Sequence, residues 1–143
     1  MNKTTELPSA CGLDSIRLLA LAAHNGQFRR DGVTPYIKHP EEVAARVNGD
    51  EMAEAVAWLH DVIEDTDQTA ADLRAMLVPE NVITAVELMT HPHGEPYKDY
   101  LKRIKTNTLA TKVKIADMLA NLSDSPTERQ IKKYARGLLF LLG

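Results

Sequence analysis

Residues 113–122, VKIADMLANL, constrain the fold more than any other stretch of this 143-residue chain. On a helical wheel Lys114, Asp117 and Asn121 share one narrow stripe, because they are spaced at i, i+3 and i+7. Apolar residues cover nearly all the remaining circumference: Val113, Ile115, Ala116, Met118, Leu119, Ala120 and Leu122. The pattern therefore predicts a helix that is buried almost all round by neighbouring elements.

Helical spacing of apolar residues dominates the rest of the chain, and no stretch shows the clean alternation of a strand. We predict helices that open near Asp14 or Ser15, at Pro40, and after a cap at Asp50. The second runs to about residue 47, and the third to about residue 62 or a little beyond. Further helices are expected near residues 70–77, 80–89, 97–105, 109–122 and 127–142. The expected fold is all-α, a single domain over residues 1–143 with about seven or eight helices.

The loop over residues 28–40, FRRDGVTPYIKHP, places a histidine at the start of the second helix. A proline biases the residue before it away from helical dihedral angles, so Pro40 is expected to bias His39 in this way and to fix its direction.

Composition excludes several classes of protein. The formal net charge of −3 provides no bulk attraction to nucleic acid or to an anionic membrane, so any polyanion must be held locally. The first dozen residues lack the apolar core of a signal peptide, and the run LLALAA is far too short to cross a bilayer. The single cysteine, Cys11, excludes an internal disulfide and a zinc–cysteine cluster. We expect a cytoplasmic protein.

Residues 58–66, WLHDVIEDT, place His60, Asp61, Glu64 and Asp65 in an otherwise apolar helix. Glu64 follows His60 by four residues, and Asp65 follows Asp61 by four, so each acid is expected to stack on the same side of the helix as the earlier residue. Such a cluster is costly to bury unless a cation organises it. The alternative is an acidic helix end that faces water.

The polar stripe of residues 114, 117 and 121 needs partners inside a buried helix, and His60 with Asp61 would supply them through a metal. The alternative is a stripe that faces solvent.

Four motifs taken together resemble the HD superfamily of metal-dependent phosphohydrolases: HP at 39–40, HD at 60–61, ED at 64–65, and KIADMLANL. The order GVTPYIKHPEEVA, WLHDVIEDT, VKIADMLANL resembles, more narrowly, the hydrolase domain of RelA/SpoT-type proteins and the small stand-alone alarmone hydrolases. The resemblance spans about residues 22–122.

The resemblance implies one divalent ion held by His39, His60, Asp61 and Asp117, and the family usually carries manganese. Two imidazoles and two carboxylates are also compatible with Fe²⁺, and this chemistry does not exclude zinc. Glu64 and Asp65 match the family's acidic pair, which would orient a metal-bound water or accept its proton. Asn121 matches an asparagine that lies against the nucleotide sugar or phosphate.

Cations are needed to neutralise a pyrophosphate leaving group, and the candidates are Arg29, Arg30, Lys38 and Lys114. Arg30 matches the family's loop arginine, which packs against the guanine base. Asp31 departs from the family, which often carries a second basic residue there. Arg29 and Lys38 are equally consistent with ordinary surface side chains.

The leading hypothesis is an enzyme that hydrolyses the 3′ ester of a guanosine polyphosphate such as ppGpp and releases pyrophosphate. Within the same class, the substrate is instead another phosphorylated nucleotide, such as an NADP-type 2′- or 3′-phosphate or a deoxynucleoside monophosphate. In another class, the chain is a non-catalytic module that binds metal and nucleotide.

Several other residues carry weaker signals. His24 is expected to be a capping or partly buried helix histidine, with contact to the site as the alternative. His91 and His93 are expected on the surface. Tyr97 and Tyr100 are expected in an apolar helix stripe. The C-terminal stretch, IKKYARGLLFLL, is expected to pack on the core, and an exposed LLFLL face would indicate an oligomer contact.

Overall fold

A computed structural model describes residues 6–8 and 11–143 of the chain. Part of the N-terminal segment used above to predict the absence of a signal peptide lies outside these residues. The described residues form nine helices joined by turns, and their only β-type pairing is an isolated bridge between Phe28 and Pro35. The all-α prediction is confirmed. The helices are α1 (Leu13–Ala23), α2 (Lys38–Arg46), α3 (Glu51–Leu59), α4 (Val62–Asp65), α5 (Ala70–Ala75), α6 (Glu80–Met89), α7 (Tyr97–Lys105), α8 (Thr108–Leu122) and α9 (Glu128–Leu142).

Two helices organise the packing. Helix α8 contacts α2, α3, α6, α7 and α9, and α3 contacts α1, α2, α6 and α8. The buried side chains of α8 include Val113, Ala116 and Met118, as the wheel predicts. Leu119 is 45% exposed, so the prediction that this helix is covered almost all round is wrong on that one side.

Helix starts follow local chemistry. The Asp50 carboxylate accepts a hydrogen bond from the Ala53 N–H, so the predicted cap of α3 is confirmed. Thr69 and Thr127 begin α5 and α9 through capping boxes. Helix α1 begins at Leu13 after its N-cap Gly12, so the prediction that Asp14 or Ser15 opens this helix is wrong by one or two residues.

His39 lies in the first turn of α2, which confirms that it sits at the start of this helix, although its helical conformation is contrary to the bias expected from Pro40. The helix begins at Lys38, and Pro40 occupies its third position. The first four N–H groups of a helix have no partner within it, so the missing N–H of a proline costs nothing there. The first turn therefore extends to include His39.

The third predicted helix is broken in two. It ends at Leu59 rather than near residue 62, and Asp61 has φ −105° and ψ 0°, outside helical geometry. A short helix, α4, resumes at Val62. The predicted continuous helix that stacks Glu64 on His60 is therefore wrong, whereas Asp65 still follows Asp61 by one turn, since its N–H donates to the Asp61 carbonyl oxygen over 2.9 Å.

The C-terminal helix packs against α7 and α8 through a close approach at Gly137. A Cβ atom at this position would lie 2.7 Å from Met118 Cε and 3.5 Å from Leu101 Cδ1. Leu141 is buried, whereas Leu139 is 76% exposed. Packing of this stretch on the core is confirmed for one face only. None of the described helices combines the length and apolarity that a membrane span requires.

Candidate metal centre

Three buried side chains from distant parts of the sequence meet at one point. One ligand atom each from His39, His60 and Asp117 lies within 4.8 Å of the other two. His39 Nε2 lies 2.8 Å from Asp117 Oδ1, and His60 Nε2 lies 3.4 Å from the same oxygen. The structure thus brings together three of the four residues that the resemblance implies as ligands.

Asp61, the fourth implied ligand, lies beside this group. Its Oδ2 atom is 3.0 Å from His60 Nε2 and 4.0 Å from His39 Nε2. The helix break at residues 60–61 permits this arrangement, because adjacent residues of a regular helix point about 100° apart.

Three packed helices position the cluster. His39 comes from the first turn of α2, His60 caps the end of α3, and Asp117 lies in the middle of α8. Each of these helices contacts the other two, so the cluster sits on rigid elements rather than on loops.

The His60 ring is oriented for a cation. Its Nδ1 atom lies 2.7 Å from the Ala57 carbonyl oxygen, which can only accept, so Nδ1 carries the proton. Nε2 is buried and has no hydrogen-bond partner among the described residues. Nε2 faces the carboxylates of Asp61 and Asp117 at 3.0 and 3.4 Å, so this position calls for a positive charge, either a proton on Nε2 or a metal ion bound to it. The donor set therefore fits a divalent metal ion.

The pKa values of the cluster agree with this interpretation. Burial opposes the charged form of His60, yet the carboxylates of Asp61 and Asp117 raise its pKa well above the ordinary value. Burial likewise opposes the charged form of Asp61, but the His60 imidazole holds its pKa below the usual range. The cluster thus stabilises positive charge at its centre.

Tyr36 fixes the position of Asp61, and sequence reasoning missed it. The Tyr36 hydroxyl donates to Asp61 Oδ2 over 2.5 Å. Burial, followed by the negative charge of Asp61, raises the pKa of Tyr36 far above its ordinary value, so the hydroxyl stays protonated. The one signal in the sequence was its place three residues before His39, one helical turn from a metal-ligand candidate.

The polar stripe of α8 surrounds Asp117. Lys114 Nζ donates to Asp117 Oδ2 over 2.8 Å, and Asn121 Nδ2 donates to Oδ1 over 3.2 Å. The stripe faces the cluster, not water. Burial opposes the charge on Lys114, but Asp117 raises the pKa of this lysine well above its ordinary value.

The acidic pair follows the helix break. Glu64 Oε1 accepts the His91 backbone N–H over 2.8 Å. Partial burial, followed by the charges of Asp61 and Glu64, raises the pKa of Asp65 to about 6. Both side chains are exposed to solvent and therefore accessible to a substrate.

The predicted cations divide into two groups. Arg29 contacts Asp124 over 2.9 Å, and its guanidinium carbon lies 5.7 Å from the centre of the Tyr36 ring. Arg30 donates to Gln130 Oε1 over 3.2 Å, and both arginines line a surface cavity of about 440 Å³. Lys38 instead pairs with Glu41 on the surface of α2 and has no recorded contact with the cluster among the described residues.

His24 is buried next to the site. Its Nδ1 atom lies 2.8 Å from Gln27 Oε1, and its ring centre lies 4.9 Å from that of Tyr36. Gln27 in turn donates to the Asp65 carbonyl oxygen. The prediction of a buried helix histidine is confirmed, and Tyr36 links it to the cluster.

The two histidines of the 90–96 turn differ. His93 is exposed, as predicted. His91 is half-buried and stacked on the Tyr100 ring at 4.4 Å, so its assignment to the surface is wrong. Tyr100 is buried, which confirms its place in an apolar stripe.

Comparison with known proteins gives a consistent result. No protein-family model matches the chain. It is 30% identical over 134 residues to a GTP pyrophosphokinase rsh of Brucella ovis, an alignment that covers 85% of this chain and 18% of that protein. It is 48% identical over 60 residues to a guanosine-3′,5′-bis(diphosphate) 3′-pyrophosphohydrolase of Haemophilus influenzae, covering 40% of this chain and 9% of that protein. The chain thus spans less than a fifth of the length of these curated relatives.

A solved structure matches nearly the whole chain. It is that of a metazoan ortholog of SpoT that hydrolyzes ppGpp and plays a role in starvation responses. The match has a TM-score of 0.77 and 25% sequence identity, and it covers 96% of this chain and 88% of the other.

Proposed function

This chain belongs to the HD-type RelA/SpoT hydrolase domain family, and we propose that it is a metal-dependent phosphohydrolase acting on a phosphorylated nucleotide. The observation that carries the proposal is the buried group of His39, His60 and Asp117, with ligand atoms within 4.8 Å of one another. In this proposal residues 1–143 act as one catalytic domain.

The ion is held by His39, His60, Asp61 and Asp117, and we propose Mn²⁺ as its identity, with Fe²⁺ and Zn²⁺ as the chemical alternatives. Support comes from the mixed nitrogen and oxygen donors and from the protonated Nδ1 of His60, which leaves Nε2 free to bind a cation. When bound, such an ion acidifies a water ligand and polarises a phosphoryl oxygen.

The chain's own residues supply the remaining roles. Asp65 accepts the proton of the attacking water, and Glu64, anchored by the His91 N–H, orients that water. Lys114 and Arg29 neutralise charge on the phosphates, and Arg30 and Asn121 position the nucleotide. Lys38 can contact a phosphate only after its ion pair with Glu41 breaks, because the Glu41 carboxylate lies 3.1 Å from the Lys38 ammonium.

The proposed substrate is a guanosine 3′,5′-bis(diphosphate). Water attacks the phosphorus attached to the 3′ oxygen, the bond between that oxygen and phosphorus breaks, the 3′ oxygen takes up a proton to form the hydroxyl of GDP, and pyrophosphate leaves. Support comes from the name of the Haemophilus influenzae relative and from the ppGpp hydrolysis ascribed to the metazoan SpoT ortholog.

The test is pyrophosphate release from ppGpp by the purified chain with Mn²⁺, Fe²⁺ or Zn²⁺. We expect turnover that a chelator stops and that Asp61→Ala abolishes. Asp14→Ala is the matched control, because Asp14 lies on the surface of α1. Activity that survives Asp61→Ala would overturn the metal assignment.

The same assay needs a panel that includes an NADP-type dinucleotide and deoxynucleoside monophosphates. Cleavage of one of these instead of ppGpp would change the proposed substrate and leave the proposed class, a metal-dependent phosphohydrolase, unchanged. Tight nucleotide binding without turnover in every metal would identify a binding module.

A further inference from the structure

Gln27, a half-buried residue of the connection between α1 and α2, makes hydrogen bonds to three parts of the chain around the metal centre. Its Nε2 atom donates to the Asp65 carbonyl oxygen over 2.8 Å, and its Oε1 atom lies 2.8 Å from His24 Nδ1. Its own carbonyl oxygen accepts the Tyr36 backbone N–H over 2.8 Å. One residue thus joins the end of α1, the segment before α2 and the end of α4.

The two partners of the Gln27 amide determine its orientation. A backbone carbonyl oxygen only accepts hydrogen bonds, so the amide NH2 group must face Asp65. The amide oxygen then faces His24, and the His24 Nδ1 atom must carry the proton that it accepts. Burial lowers the pKa of His24, which favours a neutral ring with a single N–H. His24 therefore holds the amide in the orientation that donates to Asp65.

Helix α4 depends on contacts from outside itself. It spans only Val62–Asp65 and forms a single turn. One turn fixes several dihedral angles for very few hydrogen bonds, so it is not stable alone. The Asp65 carbonyl lies at the end of this turn, where the extended conformation of Thr66 ends the helix and leaves the carbonyl without a helical partner. The Gln27 amide supplies the hydrogen bond that the helix does not.

The carbonyl that Gln27 holds and the carboxyl group of Asp65 belong to one residue, so anchoring the first limits the positions of the second. The carboxyl group is exposed. The pKa of Asp65 is raised by partial burial and by neighbouring charges, and no hydrogen bond to the carboxyl contributes among the described residues. The backbone anchor therefore constrains the carboxyl group more than any contact of the side chain does.

We propose that Gln27 is a positioning residue that holds Asp65 in place to accept the proton of the attacking water. The inference rests on the proposed function, which gives Asp65 that role. It deepens that function by assigning the position of the proton acceptor to a residue 38 positions earlier in the chain. In this proposal the Gln27 side chain acts through the Asp65 backbone and not by contact with the substrate.

The experiment compares Gln27→Ala with Gln68→Ala in steady-state kinetics with ppGpp. Gln68 is the matched control, since it is also a half-buried glutamine and its side chain makes no hydrogen bond within the described part of the chain. We expect kcat about tenfold lower for Gln27→Ala, because misplacing a reacting group by about 1 Å can cost up to about 100-fold. KM should change less than about twofold, and Gln68→Ala should match the parent.

Gln27→Met separates hydrogen bonding from packing. Methionine has nearly the length of glutamine but no donor for the Asp65 carbonyl, so it should lower kcat as much as Gln27→Ala does. Both variants should bind Mn²⁺ as the parent does, because the backbone carbonyl at position 27 still accepts the Tyr36 N–H. A parent-like kcat for Gln27→Met would assign Gln27 a packing role and overturn the proposal. Circular dichroism melting of each variant shows whether the fold is intact.

The double variant Gln27→Ala/Asp65→Asn tests whether Gln27 acts through Asp65. Once an amide replaces the carboxyl group, its exact position no longer matters for proton transfer. Adding Gln27→Ala to Asp65→Asn should therefore change kcat less than about twofold, because residues that act as a unit are not additive. A further tenfold loss in the double variant would show that Gln27 acts independently of Asp65 and would overturn the proposal.

Amide hydrogen exchange followed by NMR gives a readout that does not depend on turnover. The Asp65 and Thr66 N–H groups donate within the turn of α4, and they should exchange about tenfold faster in Gln27→Ala than in Gln68→Ala. If the protein hydrolyses no nucleotide but these amides exchange faster, the proposed function fails and the anchor stands. If ppGpp is hydrolysed and Gln27→Ala has the kcat of Gln68→Ala, the positioning role is overturned alone. Unchanged exchange together with no hydrolysis would overturn both.

Discussion

The Asp117 carboxylate lies 2.8 Å from the His39 imidazole, although 78 residues separate them in the sequence. The contact joins the first turn of α2 to the middle of α8, and Lys114 and Asn121 donate to the same carboxylate. Asp117 therefore connects the ligand cluster to the polar stripe that sequence analysis identified.

Asp117→Asn is expected to reduce the affinity for Mn²⁺ by at least about tenfold, because the neutral amide is a poorer ligand and loses the attraction between charges. Isothermal titration with Mn²⁺ measures the change, and Asp14→Asn is the surface control. The same affinity in the Asp117 variant and the parent would remove Asp117 from the ligand set.

Tyr36→Phe removes the hydroxyl that donates to Asp61 and leaves the ring in place. Loss of a hydrogen bond that orients a ligand typically reduces metal affinity about 10- to 100-fold, and we expect the lower end of that range. Metal titration of Tyr36→Phe beside Tyr134→Phe checks this, because no hydrogen bond joins the Tyr134 hydroxyl to the cluster within the part of the chain that the structure describes. Equal affinities for both variants would show that the Tyr36 hydroxyl does not orient Asp61.

Asp65→Asn is expected to lower kcat by at least about 100-fold while the metal content stays unchanged, since an amide cannot accept a proton. Asp67→Asn, an exposed acid two residues further on, is the matched control. The measurements are pyrophosphate release and metal analysis of the same preparations. Near-normal turnover in the Asp65 variant would assign the proton to another group.

The sequence predicts the helices of this fold better than the breaks and connections between them. Helices α6 and α7 have the predicted bounds, because apolar periodicity and the prolines at positions 79 and 96 indicate the same start. The break at His60 and Asp61 has no such signal. Apolar residues continue in helical register through it, so packing around the cluster, not local propensity, decides where α3 ends.

The candidate site shows the same contrast between features with a local sequence signal and features that depend on tertiary packing. Motifs identify His39, His60 and Asp117, since each belongs to a recognisable local pattern. Tyr36 and His91 were missed because their contacts depend on how two loops fold back on distant helices. A single sequence carries no record of such contacts.

Gly137→Val is expected to destabilise the protein by about 1–3 kcal/mol, because even a Cβ atom would lie 2.7 Å from Met118 Cε in a packed interior. Ala135→Val is the control on an exposed position of the same helix, where only the weak helix propensity of valine acts. Urea unfolding of both variants measures the difference. A Gly137 variant as stable as the Ala135 variant would mean that the packing of α9 does not depend on the close contact between Gly137 and Met118.

Asp31 stabilises its loop by charge. The Thr34 hydroxyl, followed by the Thr34 and Val33 N–H groups, lowers the pKa of Asp31 to about 2. A depressed pKa gives stability that is present above the ordinary value of about 4 and is lost as the pH falls toward 2. Asp31→Asn should therefore melt at a lower temperature than the parent at pH 7, and the difference should shrink as the pH falls from about 4 to about 2. A difference that persists unchanged at pH 2 would contradict this.

The hydrogen bond from the His91 backbone to Glu64 joins the connection between α6 and α7 to a residue that the proposed function places beside the attacking water. Every residue except proline has a backbone N–H, so substitutions other than proline at position 91 retain this donor. Insertions and deletions in residues 90–96 move it. The length of this connection therefore matters more for the position of Glu64 than its composition does, and a shortened turn is expected to displace Glu64 without changing any of the proposed metal ligands.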